Sequence, residues 1–255
     1  MKKGRVKESN FGVCKLCLQQ RELRNSHIIP ELLYKATYDE KHRAIDVNVD
    51  MSQVKFSQKG LRERLLCSVC EGHLNILETY FANIWYGKDV TPQGLVDLKS
   101  GTFSLQVDYA NFKLFHLSIL WRASVSTLSY FSRVDLGPYE EGIRQMVLTL
   151  NPGDEHQYGV EGWVLLDDER NVVHDVIHFP RKIKSGLYTA YMCMFGGCRW
   201  FYFIARPGIK IPNCLKSNGT LTLFLEHFPS STSMVDIGET LAKQPNVSMF
   251  VDDIN

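Results

Sequence analysis

Four cysteines and one histidine in the first third of the chain are the residues best suited to chemistry. Cys14 and Cys17 form one Cys-x-x-Cys pair, and Cys67 and Cys70 form a second. A two-residue spacer lets one turn direct both sulfurs at the same ion, and two such pairs complete a tetrahedral zinc site. His27 lies between the pairs, and an imidazole can accept a proton at neutral pH. The spacing therefore predicts a structural zinc ion with a candidate base nearby.

The distance between the two pairs indicates what the zinc site encloses. A gap of 49 residues exceeds that of simple zinc ribbons and leaves room for a hairpin and a helix, as in a treble-clef arrangement. The alternative is four unrelated thiols. The other cysteines lie in strand-like sequence and are predicted to be core or edge residues rather than a second metal site: Cys193, Cys198 and Cys214. Seven cysteines, an odd number, fit a reducing compartment better than a disulfide framework.

The elements that must position these residues follow from local patterns. Residues 13–29 predict a cysteine turn followed by a short hairpin. Pro30 then opens a helix, since proline suits the first helical turn. Residues 44–58 alternate apolar and polar side chains, which favours a strand and a loop. A further helix is predicted from Cys70 to residue 87.

On this last helix, helical spacing separates two faces. The apolar face carries Leu74, Leu77, Phe81 and Ile84. Three polar residues fall in one narrow stripe on the opposite side: Glu71, Asn75 and Glu78. His73 falls nearer the apolar face, which predicts packing rather than a metal-binding role.

The motif "CKLC…LRNSHIIPELLYK…GLRERLLCSVCEGHLNILETYF" resembles the zinc-containing HNH endonucleases of the ββα-metal fold. The resemblance covers residues 11–85. In that family a Cys-x-x-Cys knuckle precedes a strand that ends in Asp-His-Ile-hydrophobic-Pro, and a second knuckle opens the helix with the last catalytic ligand. The "SHIIP" variant is similar to a bacterial subfamily, in which such nucleases often serve as phage-defence or mobile-element effectors.

The resemblance implies roles for specific residues. His27 would be the base that deprotonates the attacking water. A catalytic Mg²⁺ or Mn²⁺ would lie between His27 and Glu71, the residue directly after the last cysteine, since a carboxylate oxygen suits either ion. Asn75 and Glu78 would extend or orient that site. The alternatives are a histidine that braces the hairpin and an acidic residue that is favourable at a helix N-terminus.

Two positions depart from the family pattern. Ser26 stands where the family has an aspartate, and Arg62 lies near the position of an asparagine. These changes support a second hypothesis, a non-catalytic zinc module that binds nucleic acid or a protein partner.

The resemblance implies a nucleic-acid partner, DNA more than RNA, and the charge distribution is compatible with phosphate contacts. Residues 1–80 hold 14 basic and 10 acidic residues, whereas the remainder holds 15 and 18. Phosphate contacts are predicted for four basic residues that precede the metal helix: Lys55, Lys59, Arg62 and Arg64. The alternative is a solvated loop.

The overall prediction is an α+β protein with two domains. A zinc-stabilised module at 1–88 precedes an α+β domain at 89–255, which would serve oligomerisation, partner docking or regulation. Helices are expected at 109–132 and 138–150, followed by an antiparallel sheet from residue 160. The histidines in its second strand segment, His174 and His178, are expected to be structural. No apolar run is long enough to span a membrane, and we expect a cytoplasmic protein that forms a homodimer or docks a protein partner through residues 106–255.

Overall fold

The structure is a computed structural model that describes residues 10–34, 44–47, 54–57, 60–87, 95–97, 101–174, 176–183, 188–206 and 208–227. These residues form a mixed α+β fold, which confirms the predicted class. The described helices are α1 (Glu31–Tyr34), α2 (Ser68–Tyr86), α3 (Tyr109–Val125) and α4 (Glu140–Thr149).

The first sheet holds the cysteine pairs. It has the order β1-β2-β5, with β1 (Phe11–Val13), β2 (Gln20–His27) and β5 (Arg62–Cys67) all antiparallel. β5 ends at Cys67 and α2 begins at the next residue, so no loop separates the strand from the helix. Strands β3 (Ala44–Val47) and β4 (Val54–Ser57) form a separate antiparallel hairpin. The strands within 44–58 and the helix at the second cysteine pair are therefore confirmed, although α2 begins two residues before Cys70. The hairpin expected after the first cysteine turn instead contains that turn, with β1 before it and β2 after it.

The second sheet has seven strands in the order β6-β7-β12-β8-β11-β10-β9. Their bounds are β6 (Leu95–Asp97), β7 (Thr102–Gln106), β8 (Gly159–Leu166), β9 (His178–Ile183), β10 (Thr189–Phe195), β11 (Cys198–Ile204) and β12 (Thr220–His227). The prediction of a purely antiparallel sheet was wrong, because β12 and β8 pair in parallel. Side-chain alternation is the same in both kinds of pairing, so the sequence pattern gives no direction.

Two element bounds also differ from the prediction. The helix expected at 109–132 ends at Val125, and a short 3₁₀ turn follows at Ser129–Phe131. The Glu63 carboxylate on β5 accepts hydrogen bonds from the Thr127 backbone N–H and hydroxyl and from the Ser126 hydroxyl, which stabilises the chain as it leaves the helix. The strand segment expected at 171–179 forms only one isolated bridge at Val172, and β9 begins at His178.

The core lies between one face of the large sheet and the helices. Phe81 of α2 stacks on Phe115 of α3 with ring centroids 4.0 Å apart, and His116 packs against Trp200 of β11. One continuous buried cluster extends from Cys14 to Leu223, across both predicted domains. The predicted boundary at residue 88 falls outside the described residues. No described helix combines the length and apolarity needed to cross a membrane.

Candidate metal centre and the His27 site

Four cysteine sulfurs converge at one end of the paired strands β2 and β5. The ligand atoms of Cys14, Cys17, Cys67 and Cys70 all lie within 4.8 Å of one another, and the Cys17 and Cys67 Sγ atoms are 4.0 Å apart. Tetrahedral zinc with Zn–S bonds near 2.3 Å requires sulfurs about 3.8 Å apart. The donor set and its spacing therefore fit a structural zinc ion, and the predicted grouping of the two pairs is confirmed.

The first cysteine pair is shaped by a tight backbone turn. The Leu18 N–H donates to the Cys14 carbonyl over 2.8 Å, and the Cys14 N–H donates to the Gln19 carbonyl over 3.0 Å. Leu18 adopts a left-handed backbone with φ of 59°. A non-glycine residue rarely adopts this conformation, so the surrounding contacts must hold it there.

The second pair lies at the junction of strand and helix. Cys67 ends β5 and caps α2, and its backbone N–H donates to the Cys14 Sγ over 3.3 Å. Such an N–H bond stabilises a thiolate ligand. Burial and the neighbouring Cys14 sulfur raise the pKa of the Cys70 thiol. A bound cation would oppose that effect, because a metal ion favours deprotonated sulfur.

Helix α4 braces the metal centre from outside the first third of the chain. The buried Arg144 guanidinium donates to the Leu16 carbonyl, between the first two cysteines, and forms a bidentate pair with Glu141. That pair raises the pKa of Arg144. His73 on α2 makes a 2.8 Å hydrogen bond with the Val147 carbonyl on α4, so the prediction that it packs against neighbouring structure is confirmed.

His27 ends β2 at the opposite end of the hairpin from the sulfurs. Its side chain is 18% exposed, and its Nε2 lies 3.8 Å from the Glu31 carboxylate on α1. Arg62 stands directly across from His27 in the β2–β5 ladder, and its Nη2 also lies 3.8 Å from Glu31. An imidazole, a carboxylate and a guanidinium therefore meet at the end of this hairpin.

A buried arginine from α3 holds the backbone at this position. Arg122 Nη1 donates to the His27 carbonyl over 3.1 Å and to the Glu78 carboxylate over 2.9 Å. Its Nε and Nη2 both donate to Ser118, to the carbonyl and the hydroxyl respectively. The side chain is 2% exposed. This guanidinium therefore connects β2, α2 and α3. It also forms a buried ion pair with Glu78.

Ser26 has a structural contact that its sequence position did not reveal. It is 2% exposed, and its hydroxyl accepts the Leu66 backbone N–H over 3.1 Å. The hydroxyl also lies 3.4 Å from the Arg24 carbonyl. The Ser26 side chain therefore points into the protein interior. Neighbouring strand residues face opposite sides of a sheet, so the next residue, His27, points to the other side.

The predicted polar stripe on α2 has three different environments. Glu71 keeps a buried Oε1 that has no hydrogen-bond partner among the described residues. Asn75 is exposed, and Glu78 pairs with Arg122. A buried carboxylate oxygen without a donor is costly unless a cation or water satisfies it. Glu71 is therefore the member of the stripe with unused capacity to bind a ligand.

The predicted phosphate contacts divide in the same way. Arg64 is exposed, and its Nη1 donates to the Leu23 carbonyl over 3.1 Å. Arg62 lies beside Glu31, as described above. Lys55 belongs to the backbone of β4, and Lys59 lies outside the described residues.

Sequence reasoning missed three residues of this region: Glu31, Glu63 and Arg122. Glu31 follows His27 by four positions, a spacing that brings side chains together when a helix starts between them. Arg122 interrupts the apolar run "FKLFHLSILWRASV", and a charge inside a buried helix requires a partner. Glu63 carried no comparable signal.

Comparison of the chain with protein-family models, curated proteins and solved structures found no significant match. In the part of the chain that the structure describes, the four cysteines are the one group of three or more Cys, His, Asp or Glu ligands close enough to share an ion. Any second metal site with Glu71 would therefore use fewer protein ligands and more water, which is usual for Mg²⁺.

Proposed function

We propose that this protein is a metal-dependent endonuclease of the HNH type that cleaves phosphodiester bonds in DNA. The observation that carries the proposal is the order of elements around one histidine. His27 ends β2, which pairs antiparallel with β5, β5 continues directly into α2, and four clustered cysteines lie where the strands meet the helix. Two paired strands followed by a helix, with clustered cysteines beside them, are what we expect of the ββα-metal module that the motif resembles, and they support the proposal.

The residues around His27 suit the proposed chemistry. His27 would accept the proton of the attacking water. Glu31, 3.8 Å from Nε2, would orient the ring and stabilise the imidazolium that forms. Arg122 would fix the backbone of the base through the His27 carbonyl. A divalent cation held by Glu71 would stabilise charge on the phosphorane and the leaving oxygen.

The second candidate function is a non-catalytic zinc module that binds nucleic acid or a protein. Two observations favour it over an active nuclease. Ser26 bonds the Leu66 backbone and Glu78 is paired with Arg122, so neither side chain is available as an additional metal ligand. Under this alternative the zinc ion would stabilise the fold of a binding surface. His27 would stabilise the local structure and would not take part in catalysis.

A nicking assay separates the two candidates. We expect the full-length protein to relax supercoiled plasmid DNA in the presence of Mg²⁺ or Mn²⁺ and to stop when EDTA is added. His27→Ala should abolish nicking while zinc content and the melting temperature stay close to wild type. His156→Ala is the matched control, since His156 is exposed and distant in sequence from the hairpin. Plasmid binding without nicking under every metal condition would instead support the binding module.

Glu71→Ala tests the second metal. The variant should shift the Mg²⁺ or Mn²⁺ dependence of nicking to higher concentration, because the ion would lose its carboxylate ligand. Thr79→Ala, about two turns further along α2 and exposed, is the control and should leave the metal dependence unchanged. Identical metal titrations for Glu71→Ala and wild type would contradict the ligand assignment.

Three further expectations stay predictions: a phage-defence role, a cytoplasmic location and a homodimer through residues 106–255. The dimer is the most direct to test. Light scattering of the full chain at tens of micromolar should give twice the monomer mass. A monomer at that concentration would contradict the prediction.

A further inference from the structure

The outer face of the large sheet, opposite the helices, carries a second cluster of charged side chains. Arg199 on β11 and His178 on β9 both lie opposite Met194 of β10, and Arg181 on β9 lies opposite Met192. The register between β9 and β10 shifts between these two methionines. Such a bulge re-aims side chains, and here it brings His178 and Arg181 to the same side of the sheet.

Both arginines have N–H groups without a hydrogen-bond partner among the described residues. Arg199 is 15% exposed and uses one nitrogen, Nη1, in a 2.9 Å pair with Glu226. Its Nε and Nη2 are buried without a hydrogen-bond partner, as is the Nε of Arg181. Within the described residues, Arg181 has no carboxylate at ion-pair distance. Among the residues that the structure describes, three buried N–H donors therefore have no acceptor, and the second oxygen of the Glu226 carboxylate is the one buried acceptor of this cluster without a donor.

Positive charge accumulates at the same place. The pKa of Arg181 is lowered first by burial and then by the charges of Arg199 and Arg133. The pKa of His178 falls to about 4 through burial, with Arg181 as the next cause. Glu226 is the single carboxylate paired with this group in the part of the chain that the structure describes. Arg181 and Arg199, with the charge of Arg133 acting on Arg181, thus have one paired carboxylate among the described residues.

Such an arrangement is unfavourable in an empty site. Buried donors without acceptors each cost about 1–3 kcal/mol, and neighbouring like charges add repulsion. Protein interiors normally pair buried cations or neutralise them. An anion between the two strands would accept the free N–H groups and offset the excess charge. The cluster therefore has the electrostatic character of an anion site rather than of a structural ion pair.

We propose that Arg181 and Arg199, with Arg133 at the rim, bind a phosphate group of a ligand. A phosphate presents several oxygens and a double negative charge, which matches two guanidinium forks better than a single carboxylate does. Trp163 of β8 lies directly across from Arg199 and packs against Phe224, with ring centroids 4.8 Å apart and the ring planes tilted by 33°. A ligand with a base beside its phosphate would therefore also meet an aromatic surface.

Calorimetric titration of the full-length protein with pyrophosphate at constant ionic strength tests the site. Arg181→Gln should weaken binding by about tenfold or more, the loss expected for one charged hydrogen bond. Lys182→Gln is the matched control. It removes the same charge from the next position of β9, where the side chain is exposed and lies opposite Tyr191 instead of Met192. Equal affinity in Arg181→Gln and wild type would overturn the proposal, as would no pyrophosphate binding by wild type.

Thermal melting provides a readout that does not depend on measured affinity. In phosphate-free buffer Arg181→Gln should melt at the wild-type temperature or above it, because the substitution removes repulsion. Added pyrophosphate should raise the melting temperature of wild type and of Lys182→Gln, but not that of Arg181→Gln. Arg199→Lys keeps a cation beside Glu226 and removes only the fork, so it replaces Arg181→Gln if that variant is poorly folded. An equal pyrophosphate-induced rise in all these proteins would contradict the assignment.

Two probes distinguish the source of the phosphate. Binding of a deoxythymidine oligonucleotide that is lost in Arg181→Gln would identify the phosphates of a nucleic-acid strand. Binding of pyrophosphate without the oligonucleotide would identify a free phosphate or nucleotide. In either case the added negative charge should raise the pKa of His178, which histidine NMR spectra can follow with His178→Gln for assignment. An unchanged His178 titration in saturating pyrophosphate would overturn the location of the site.

Discussion

Two antiparallel hairpins of this molecule contain cysteines and are held together in opposite ways. In the β1–β2 hairpin, strand β2 has eight residues and buries one of them, Ser26. In the β10–β11 hairpin, strand β10 has seven residues and buries six. Apolar burial can stabilise the second hairpin by itself, at about 25 cal/mol per Å². The first hairpin buries too little apolar surface for this, and four cysteine sulfurs lie beside its turn instead.

The cysteines show the same contrast. Cys193 and Cys214 are buried in the sheet region, and burial raises the pKa of each thiol to about 12. They act as small apolar side chains. Cys14 and Cys67 are buried as well, but their sulfurs lie within 4.8 Å of each other and of the Cys17 and Cys70 sulfurs. The convergence of four sulfurs, not burial, therefore distinguishes the candidate metal ligands from the core thiols in this chain.

Removal of the metal should produce the largest effect, because only the first hairpin depends on it. Structural zinc contributes apparent binding free energy on the order of 10 kcal/mol to folding. We expect chelation, or Cys67→Ser, to abolish hydrogen-exchange protection in β1 and β2 while β10 and β11 stay protected. Mass spectrometry with peptide resolution measures both regions in one experiment.

Cys214→Ser is the matched control for that substitution. It should keep about one zinc ion per chain by metal analysis and keep the protection of β2, since its sulfur is not part of the cluster. A freshly purified, reduced wild-type protein without zinc would remove the basis of the comparison between the two hairpins.

The Arg122–Glu78 pair should give the next largest effect. Arg122→Met leaves the Glu78 carboxylate and the His27 carbonyl without their donor, which should cost about 3 kcal/mol of unfolding free energy. Glu78→Gln in the same chain should restore part of that loss, because no charge is then left unpaired. Denaturant unfolding of the two single variants and the double variant gives the coupling energy. Strictly additive losses would show that the pair is not a unit.

A buried lysine away from the cysteine cluster predicts that the free energy of unfolding depends on pH. Lys113 on α3 is 2% exposed, its Nζ donates to the Asp154 carbonyl over 2.6 Å, and burial lowers its pKa from 10.5 to about 8. Between pH 8 and 10.5 the unfolded chain binds more protons at this residue, so its contribution to stability rises with pH, by up to about 3 kcal/mol. Lys113→Met should lose that rise.

The measurement is the difference in unfolding free energy between wild type and variant, from urea titrations between pH 7.5 and 10. Lys216→Met is the control, since the Lys216 side chain is half-exposed. Its difference from wild type should stay flat over the same range. A flat difference for Lys113→Met as well would show that the amine is not shifted.

The smallest effect is expected at Ser26. Ser26→Ala removes the acceptor of the Leu66 N–H and should lower stability by about 1 kcal/mol, with the metal content and the metal dependence of nicking unchanged. Thermal melting and plasmid assays measure the two quantities. A changed metal dependence would show that the hydroxyl contributes to a cation site after all.

The sequence allowed prediction of the elements that carry strong local signals. Paired cysteines located the metal centre, and the helical spacing from Leu74 to Ile84 located α2. Strand direction could not be predicted, because the β8–β12 pair joins segments more than 50 residues apart and alternation is the same for both directions. The short strands β6 and β7 were missed for lack of a sustained alternation.

The candidate site was predicted as a list of residue types but not as a set of contacts. Glu71 and Glu78 lie on one helical stripe, yet one has an unused oxygen and the other is paired with Arg122 of a helix 44 residues away. Spacing within one helix fixes its faces and says nothing of what each face meets. Arg122 on α3 and Arg144 on α4 are far along the chain from the residues that they bind. Local sequence patterns do not encode such contacts.

The braces on the zinc region also set an order of events during synthesis. All four cysteines have been made once the ribosome reaches residue 70, whereas Arg122 and Arg144 follow 52 and 74 residues later. At about 5–20 residues per second, roughly 3–10 s separate the last cysteine from Arg122, which binds the His27 carbonyl. A nascent chain would therefore have time to bind a metal ion at the cysteines before Arg122 is made. Metal loading and completion of the candidate site are distinct steps in the life of each new molecule.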